Sequence, residues 1–294
     1  MTGPGADSRW RRALAAEFAA GYQGRDGVRA VLLSGSVARG RADRYSDIEL
    51  LVCWAGPPDG PARRDAVAAG GASLVTGYDY DAENAEWSDD VLLSGVEIQV
   101  SHRTQAGVGQ WLTDVTTRFD PDLTKQDLIS LIRTGVPLSG AELIGEWRRQ
   151  SDHYPAPLAD AMIRAHLDFR SAWQRRKLLD RGDLIPLYAD LVDTARNVVL
   201  VLLGLNREYF PHLGFKWVPA LAAGLAEAPA GLARRLDALF TAEPAEAVRV
   251  ADALIEETLT LVAARRPETG AAAELAQVRR SRPVWTGPPP RFGG

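Results

Sequence analysis

Cysteine is nearly missing from this chain of 294 residues, which holds only Cys53. No internal disulfide framework can form, and the simplest home for such a chain is a reducing cytoplasm. Cys53 ends an apolar run and reads as a buried thiol rather than a nucleophile. Lysine is almost as scarce, with only Lys125, Lys177 and Lys216 among 34 basic residues. Arginine is the default cation, so each lysine is slightly more informative. The four histidines, His102, His153, His166 and His212, show no metal-ligand spacing. The longest apolar stretch, residues 198–205, is too short to span a bilayer, and residues 1–12 lack the apolar run of a signal peptide. An excess of positive charge is also missing, since the formal net charge is −4. That argues against nucleic acid as the main partner, because a phosphate backbone demands a basic surface. A small anionic nucleotide needs only a local positive field and stays admissible.

What is present fits a soluble globular protein, 46% hydrophobic and 24% charged, long enough for two domains. Apolar residues at helical spacing over 9–22 give a helix. Residues 28–33 read as a buried strand and 47–53 as a second one, with a Gly-Ser turn and a short helix capped by Ser36 between them. A helix over 62–69, a strand over 73–76 and two strands over 91–93 and 96–100 follow. From residue 105 onward the pattern is helical, with 135–139 read as a turn. A long helix over 158–180 and another over 183–203 are joined tightly enough to lie antiparallel, as in a bundle. Further helices are expected near 220–226, 230–239 and 243–264. The spacing therefore predicts an α+β fold: a mixed-sheet domain over 1–118, an all-helical bundle over 119–278, and a disordered Pro-, Gly- and Arg-rich tail over 279–294.

The chemistry concentrates in residues 32–52. A strand alternates its faces, so Asp47 and Glu49 point one way while Ile48 and Leu50 point the other. Two carboxylates on one face make a hard-oxygen site suited to Mg²⁺. The Gly35-Ser36 turn opens a helix whose N–H groups can hold an anion. On a later strand Glu97, Gln99 and Ser101 face one side, and Val96, Ile98 and Val100 the other.

Gly35-Ser36, then Asp47-Ile48-Glu49, then Glu97 between apolar neighbours resembles the nucleotidyltransferase superfamily typified by DNA polymerase β. In the helical half, Ala195-Arg196-Asn197-Val198-Val199-Leu200, Leu205 to Pro211 and Lys216-Trp217 are similar to the adenylyltransferases of streptomycin and spectinomycin. The resemblance implies transfer of AMP from ATP to a hydroxyl of a small molecule, with two Mg²⁺ ions. It implies Asp47, Glu49 and Glu97 as catalytic and metal-binding carboxylates, with Glu97 taking the hydroxyl proton or completing the metal site. Gly35, Ser36, Arg39 and Ser46 would hold the triphosphate, with Arg44 in reach, and Lys216 would reach it from the helical half. One departure is Glu49, where the resistance enzymes usually carry Asp.

Other readings stand beside this one. The same chemistry could act on a protein side chain or an RNA end, and the scaffold could be a catalytically silent nucleotide-binding module with Glu49 marking a decayed site. Residues 78–90 combine six carboxylates with Tyr78, Tyr80 and Trp87. They read first as a solvated loop and alternatively as a wall for a cationic acceptor.

Overall fold

The computed structural model describes residues 5–282. The chain divides into two compact units, one of residues up to Pro155 with Tyr209–Leu213, the other of Ala156–Glu208 with the chain from Gly214 onward. The division falls after Pro155 rather than at 118/119. The first unit runs α1 (Ala6–Ala19), β1 (Val28–Leu33), α2 (Gly35–Ala38), β2 (Ile48–Trp54), α3 (Gly60–Ala69), β3 (Ser73–Asp81), β4 (Glu86–Leu93), β5 (Val96–Thr104), α4 (Gln105–Thr116), α5 (Leu123–Thr134), β6 (Val136–Ser139) and α6 (Ala141–Gln150).

The six strands form one sheet in the order β3-β4-β5-β2-β1-β6. Only β2 and β5 pair in parallel; the other neighbours are antiparallel. The sheet is thus mixed, and with the helices it makes the α+β architecture that the spacing predicts. One sheet face carries Val31, Leu33, Ile48, Leu50, Val52, Val91, Ile98 and Val100, buried against Phe18 and Tyr22 of the N-terminal segment and Ala66 and Val67 of α3. On the opposite side α4, α5 and α6 pack on one another, and α4 touches β5 while α6 touches β1.

β6 is the element that moves the boundary. Its four residues VPLS pair with β1, Leu32 opposite Pro137 and Leu33 opposite Val136. Proline is tolerated there because an edge strand needs no donor on its outer side. The flanking Gly135 and Gly140 make these residues look like a turn. Gly140 has φ +65°, and a Cβ there would overlap the Arg29 carbonyl and Ala30. Closing the sheet with β6 binds α4, α5 and α6 into the first unit.

The segment Tyr209–Leu213 joins that unit through several contacts. Tyr209 stacks on Tyr154 with ring centroids 4.8 Å apart. Its hydroxyl donates to the His153 carbonyl at 3.3 Å, and the Phe210 N–H donates to Gln126 Oε1 at 3.4 Å.

The second unit is all helix: α7 (Ala156–His166), α8 (Ala172–Arg181), α9 (Leu184–Asn206), α10 (Val218–Gly224), α11 (Leu232–Thr241), α12 (Pro244–Arg265), a short turn of 3₁₀ helix at Pro267–Thr269, and α13 (Ala271–Val278). The single helix expected over 158–180 is two. Between them Asn197 Nδ2 donates to the Asp168 carbonyl at 2.8 Å, and the Phe169 N–H donates to Glu274 Oε1 at 3.1 Å. The Ser171 N–H donates to Gln174 Oε1 at 3.2 Å, which starts α8 afresh. Side chains from elsewhere satisfy the freed backbone, so the break needs no Gly or Pro. Among the described residues no helix is long and apolar enough to cross a membrane. Arg279 caps α13, and the expected disordered stretch from 283 to 294 lies outside the described residues.

Candidate active site

The turn after β1 is built around two small residues. Ser34, not Ser36, is the N-cap of α2, and Gly35 and Ser36 are its first helical residues. The Ser34 N–H donates to the Glu49 carbonyl at 2.9 Å, and its hydroxyl reaches the same oxygen at 3.3 Å. Gly35 takes φ +64°, and a Cβ there would overlap Oε2 and Cδ of Glu49. The Glu49 carboxylate therefore lies directly against the Gly35 backbone. Both the left-handed φ and the close approach require glycine. The Gly-Ser turn and the carboxylate strand are one surface.

Asp47 sits half-buried just before β2, on the same face as Glu49 by alternation. Register aligns Ile48 with Ile98 and Glu49 with Gln99. Glu97 thus lies level with Asp47 on the same face, but it is exposed, at the start of β5 and opposite Leu92. Among the described residues no three His, Cys, Asp or Glu side chains stand close enough to hold a metal ion. Mg²⁺ asks for less, since one or two carboxylates plus substrate phosphates and water suffice. Asp47 and Glu49, oxygen donors beside a glycine turn, fit that requirement as a pair.

The remaining expected residues lie in different settings. Arg39, at the end of α2, donates from Nε to Thr134 Oγ1 at 3.3 Å, and from Nη2 to Ser130 Oγ at 3.5 Å and the Pro211 carbonyl at 3.0 Å. It therefore ties α2 to α5 and to the segment from Tyr209 to Leu213. Burial lowers its pKa below the usual guanidinium value, against the pull of Asp127 and Glu49. Ser46 is part of an Asx turn, its hydroxyl donating to Asp43 Oδ1 at 3.1 Å and accepting from the Asp43 N–H at 3.0 Å. The Tyr45 N–H, which donates to Asp43 Oδ1 at 2.9 Å, and then the Ser46 hydroxyl hold the Asp43 carboxyl below the usual carboxylate range. Arg44 is exposed and lies over the Tyr45 ring, 4.6 Å from its centroid. Lys216 is exposed in the second unit, just before α10.

A cleft of about 500 Å³ opens over the polar face of the sheet, of a size that suits a small ligand. Its floor carries Glu49, Glu86, Asp90 and Arg103, and its far wall is α5, with Asp127 facing in. The stretch 78–90 is not a loop but the hairpin of β3 and β4, with Tyr78 opposite Ser88. At its tip Asp81 accepts from the N–H groups of Glu83 and Asn84, and Tyr80 stacks on Trp87 at 4.6 Å. Glu86 pairs with Arg103 at 3.0 Å and also accepts from the Ser101 hydroxyl. Asp90 accepts from the Tyr78 hydroxyl at 3.0 Å.

Asp89 serves the core instead. It is buried, takes Arg63 Nη1 at 2.8 Å on Oδ1, and meets His102 Nε2 at 2.9 Å on Oδ2. Trp54 Nε1 donates to His102 Nδ1 at 3.1 Å. That donor fixes the ring as neutral with its proton on Nε2, in keeping with burial lowering the His102 pKa.

Asp127 and Arg103 are cleft residues that the sequence reading passed over. Asp127 is pushed up to about 7 by burial; Arg39 and Arg103 pull it down, while Glu49 and Glu86 push it further up. One signal for it was in the sequence. Asp127, Ser130 and Thr134 form a polar stripe at spacings of three and four on a helix otherwise rich in Leu and Ile.

A family model described as a domain of unknown function (DUF4037) matches residues 122–218. No curated protein matches the chain. Among solved structures, a nucleotidyltransferase-like protein from Exiguobacterium sibiricum 255-15 is similar over 94% of this chain and 81% of its own, at 14% identity and a TM-score of 0.41. A likeness that distant adds nothing to what the geometry says.

Proposed function

We propose that this protein is a nucleotidyltransferase that moves AMP from ATP to a hydroxyl of a small molecule. The observation that carries the proposal is the seating of the Glu49 carboxylate against the Gly35 backbone on the cleft floor. It sets the Gly35 turn and the oxygen donors of Glu49 side by side. The first N–H groups of α2 have no acceptor within the helix and suit phosphate oxygens. Asp47 and Glu49 would hold magnesium, which when bound stabilises charge on the attacking and leaving oxygens. Arg39 holds the turn against α5 and so keeps those N–H groups in place.

Charge supports a metal-complexed nucleotide. The cleft presents the carboxylates of Glu49, Glu86, Asp90 and Asp127 against the guanidinium of Arg103. A bare triphosphate is repelled by such a wall, and a cationic acceptor is attracted. Aminoglycosides such as streptomycin are the leading acceptor class on that ground. The test is pyrophosphate release from labelled ATP with magnesium and a panel of hydroxyl acceptors. Release that survives Asp47→Asn overturns the proposed metal pair.

A second reading, a silent nucleotide-binding module, is favoured by the exposure of Glu97, which stands apart from Glu49 and leaves no three-carboxylate cluster among the described residues. Nucleotide binding without release under any condition selects it.

A further inference from the structure

We infer that Asp127, on the helix facing the sheet, is the group that takes the proton from the attacking hydroxyl; this rests on the nucleotidyl-transfer reading above. Position comes first. Transfer needs a proton acceptor facing the same space as the phosphate turn. β5 offers none beside Glu49, because its partner in register is Gln99, an amide. Glu97 lies one pleat earlier and is exposed. The cleft itself offers Asp127, which faces in from α5.

Elimination among the cleft carboxylates gives the same residue. Glu86 is held by Arg103 and Ser101. Asp89 is locked between Arg63 and His102, and Asp90 carries the Tyr78 hydroxyl. Glu49 lies against Gly35 and is assigned to the metal. Asp127 makes no hydrogen bond among the described residues, and its neighbours are the charges of Arg39, Arg103, Glu49 and Glu86. A half-buried carboxylate with no partner, facing a cleft, is an unusual and costly arrangement unless a ligand completes it. Its raised proton affinity, from burial first, suits a base working near neutral pH.

The acceptor oxygen forms a bond to the α-phosphorus while its proton passes to an Asp127 carboxylate oxygen. The bond from the α-phosphorus to the oxygen bridging to the β-phosphorus breaks, and its electron pair leaves with pyrophosphate. The charges of Arg39 and Arg103 oppose the upward push of burial on the carboxylate.

The experiment uses the full chain with Mg²⁺, α-labelled ATP and streptomycin, spectinomycin or water as acceptor, reading pyrophosphate release. Asp127→Asn is expected to lower turnover by about a hundredfold or more while the melting-point shift induced by Mg-ATP stays as in the wild type. Asp127→Glu is expected to recover part of the loss. Added formate is expected to speed Asp127→Gly about tenfold or more by supplying the missing carboxylate, which a merely structural role would not allow. Turnover of Asp127→Asn within about threefold of wild type, or formate without effect on Asp127→Gly, overturns the role of Asp127 alone. No release by the wild-type chain with any of these acceptors overturns the nucleotidyl-transfer reading, and the base with it.

Discussion

At Gly35 the backbone itself is the wall against which the Glu49 carboxylate rests, so the smallest substitution should be felt there. Gly35→Ala adds a methyl that collides with Oε2 and forces an L-residue to φ +64°. The expected cost is about 1–3 kcal/mol of folding stability, measured by urea unfolding, together with loss of the Mg-ATP-induced melting shift. Asp127 leads to a prediction of opposite sign. Its folded-state pKa of about 7 lies above the ordinary 3.8, so the folded chain binds the extra proton. The contribution of Asp127 to stability is full below about pH 4 and is lost as pH rises through 7. Asp127→Asn should therefore be more stable than wild type at pH 8, by up to roughly 4 kcal/mol, and the gap should close as pH falls. Equal unfolding midpoints at pH 8 would sink this. These two residues also mark how far the sequence could be read. Gly35, Asp47 and Glu49 were legible because turn chemistry and strand alternation are local. The exposure of Glu97 was not, because it depends on the register of β5 against β2 and β4.

Among the elements, the strands of the first unit were legible where apolar residues run unbroken, as in β1 and β2. They were illegible where polarity dominates. β3 is exposed along nearly its whole length as an edge strand, and its acidic face reads as loop. The split between α7 and α8 was hidden for a different reason. Its backbone groups are satisfied by Asn197 and Glu274 from distant helices, which no local window contains. The start of α8 also carries the main ionic tie of the helical unit. Arg175 is fully buried, donating from Nε to Asp190 at 2.6 Å, from Nη2 to the Arg170 carbonyl at 3.0 Å, and from Nη1 to Asp252. It links α8, α9 and α12. Removing one member of such a network leaves an uncompensated buried charge. Arg175→Ala should lower stability by about 3–5 kcal/mol, seen as a fall in melting temperature. Arg175→Ala combined with Asp190→Leu should be less damaging than the single change. If the single variant melts with the wild type, the network contributes nothing.

For the whole molecule, the dominant property is the sign of the cleft. Under the proposed function, nucleotide would reach such a surface as a metal complex, so ATP with EDTA should leave the melting temperature unchanged, whereas ATP with excess magnesium should raise it by a few degrees. A rise of equal size in both conditions would contradict the acidic-cleft account. The order in which the chain builds its units has its own result. Membership changes after Pro155, after Glu208 and after Leu213. A chain cut after Pro155 would leave a C-terminal piece still carrying Tyr209 and Phe210, both buried in the first unit. The pieces 1–155 and 156–294 should then behave as complementing fragments: insoluble or unstable apart, copurifying when made together, and separated again by Phe210→Asp.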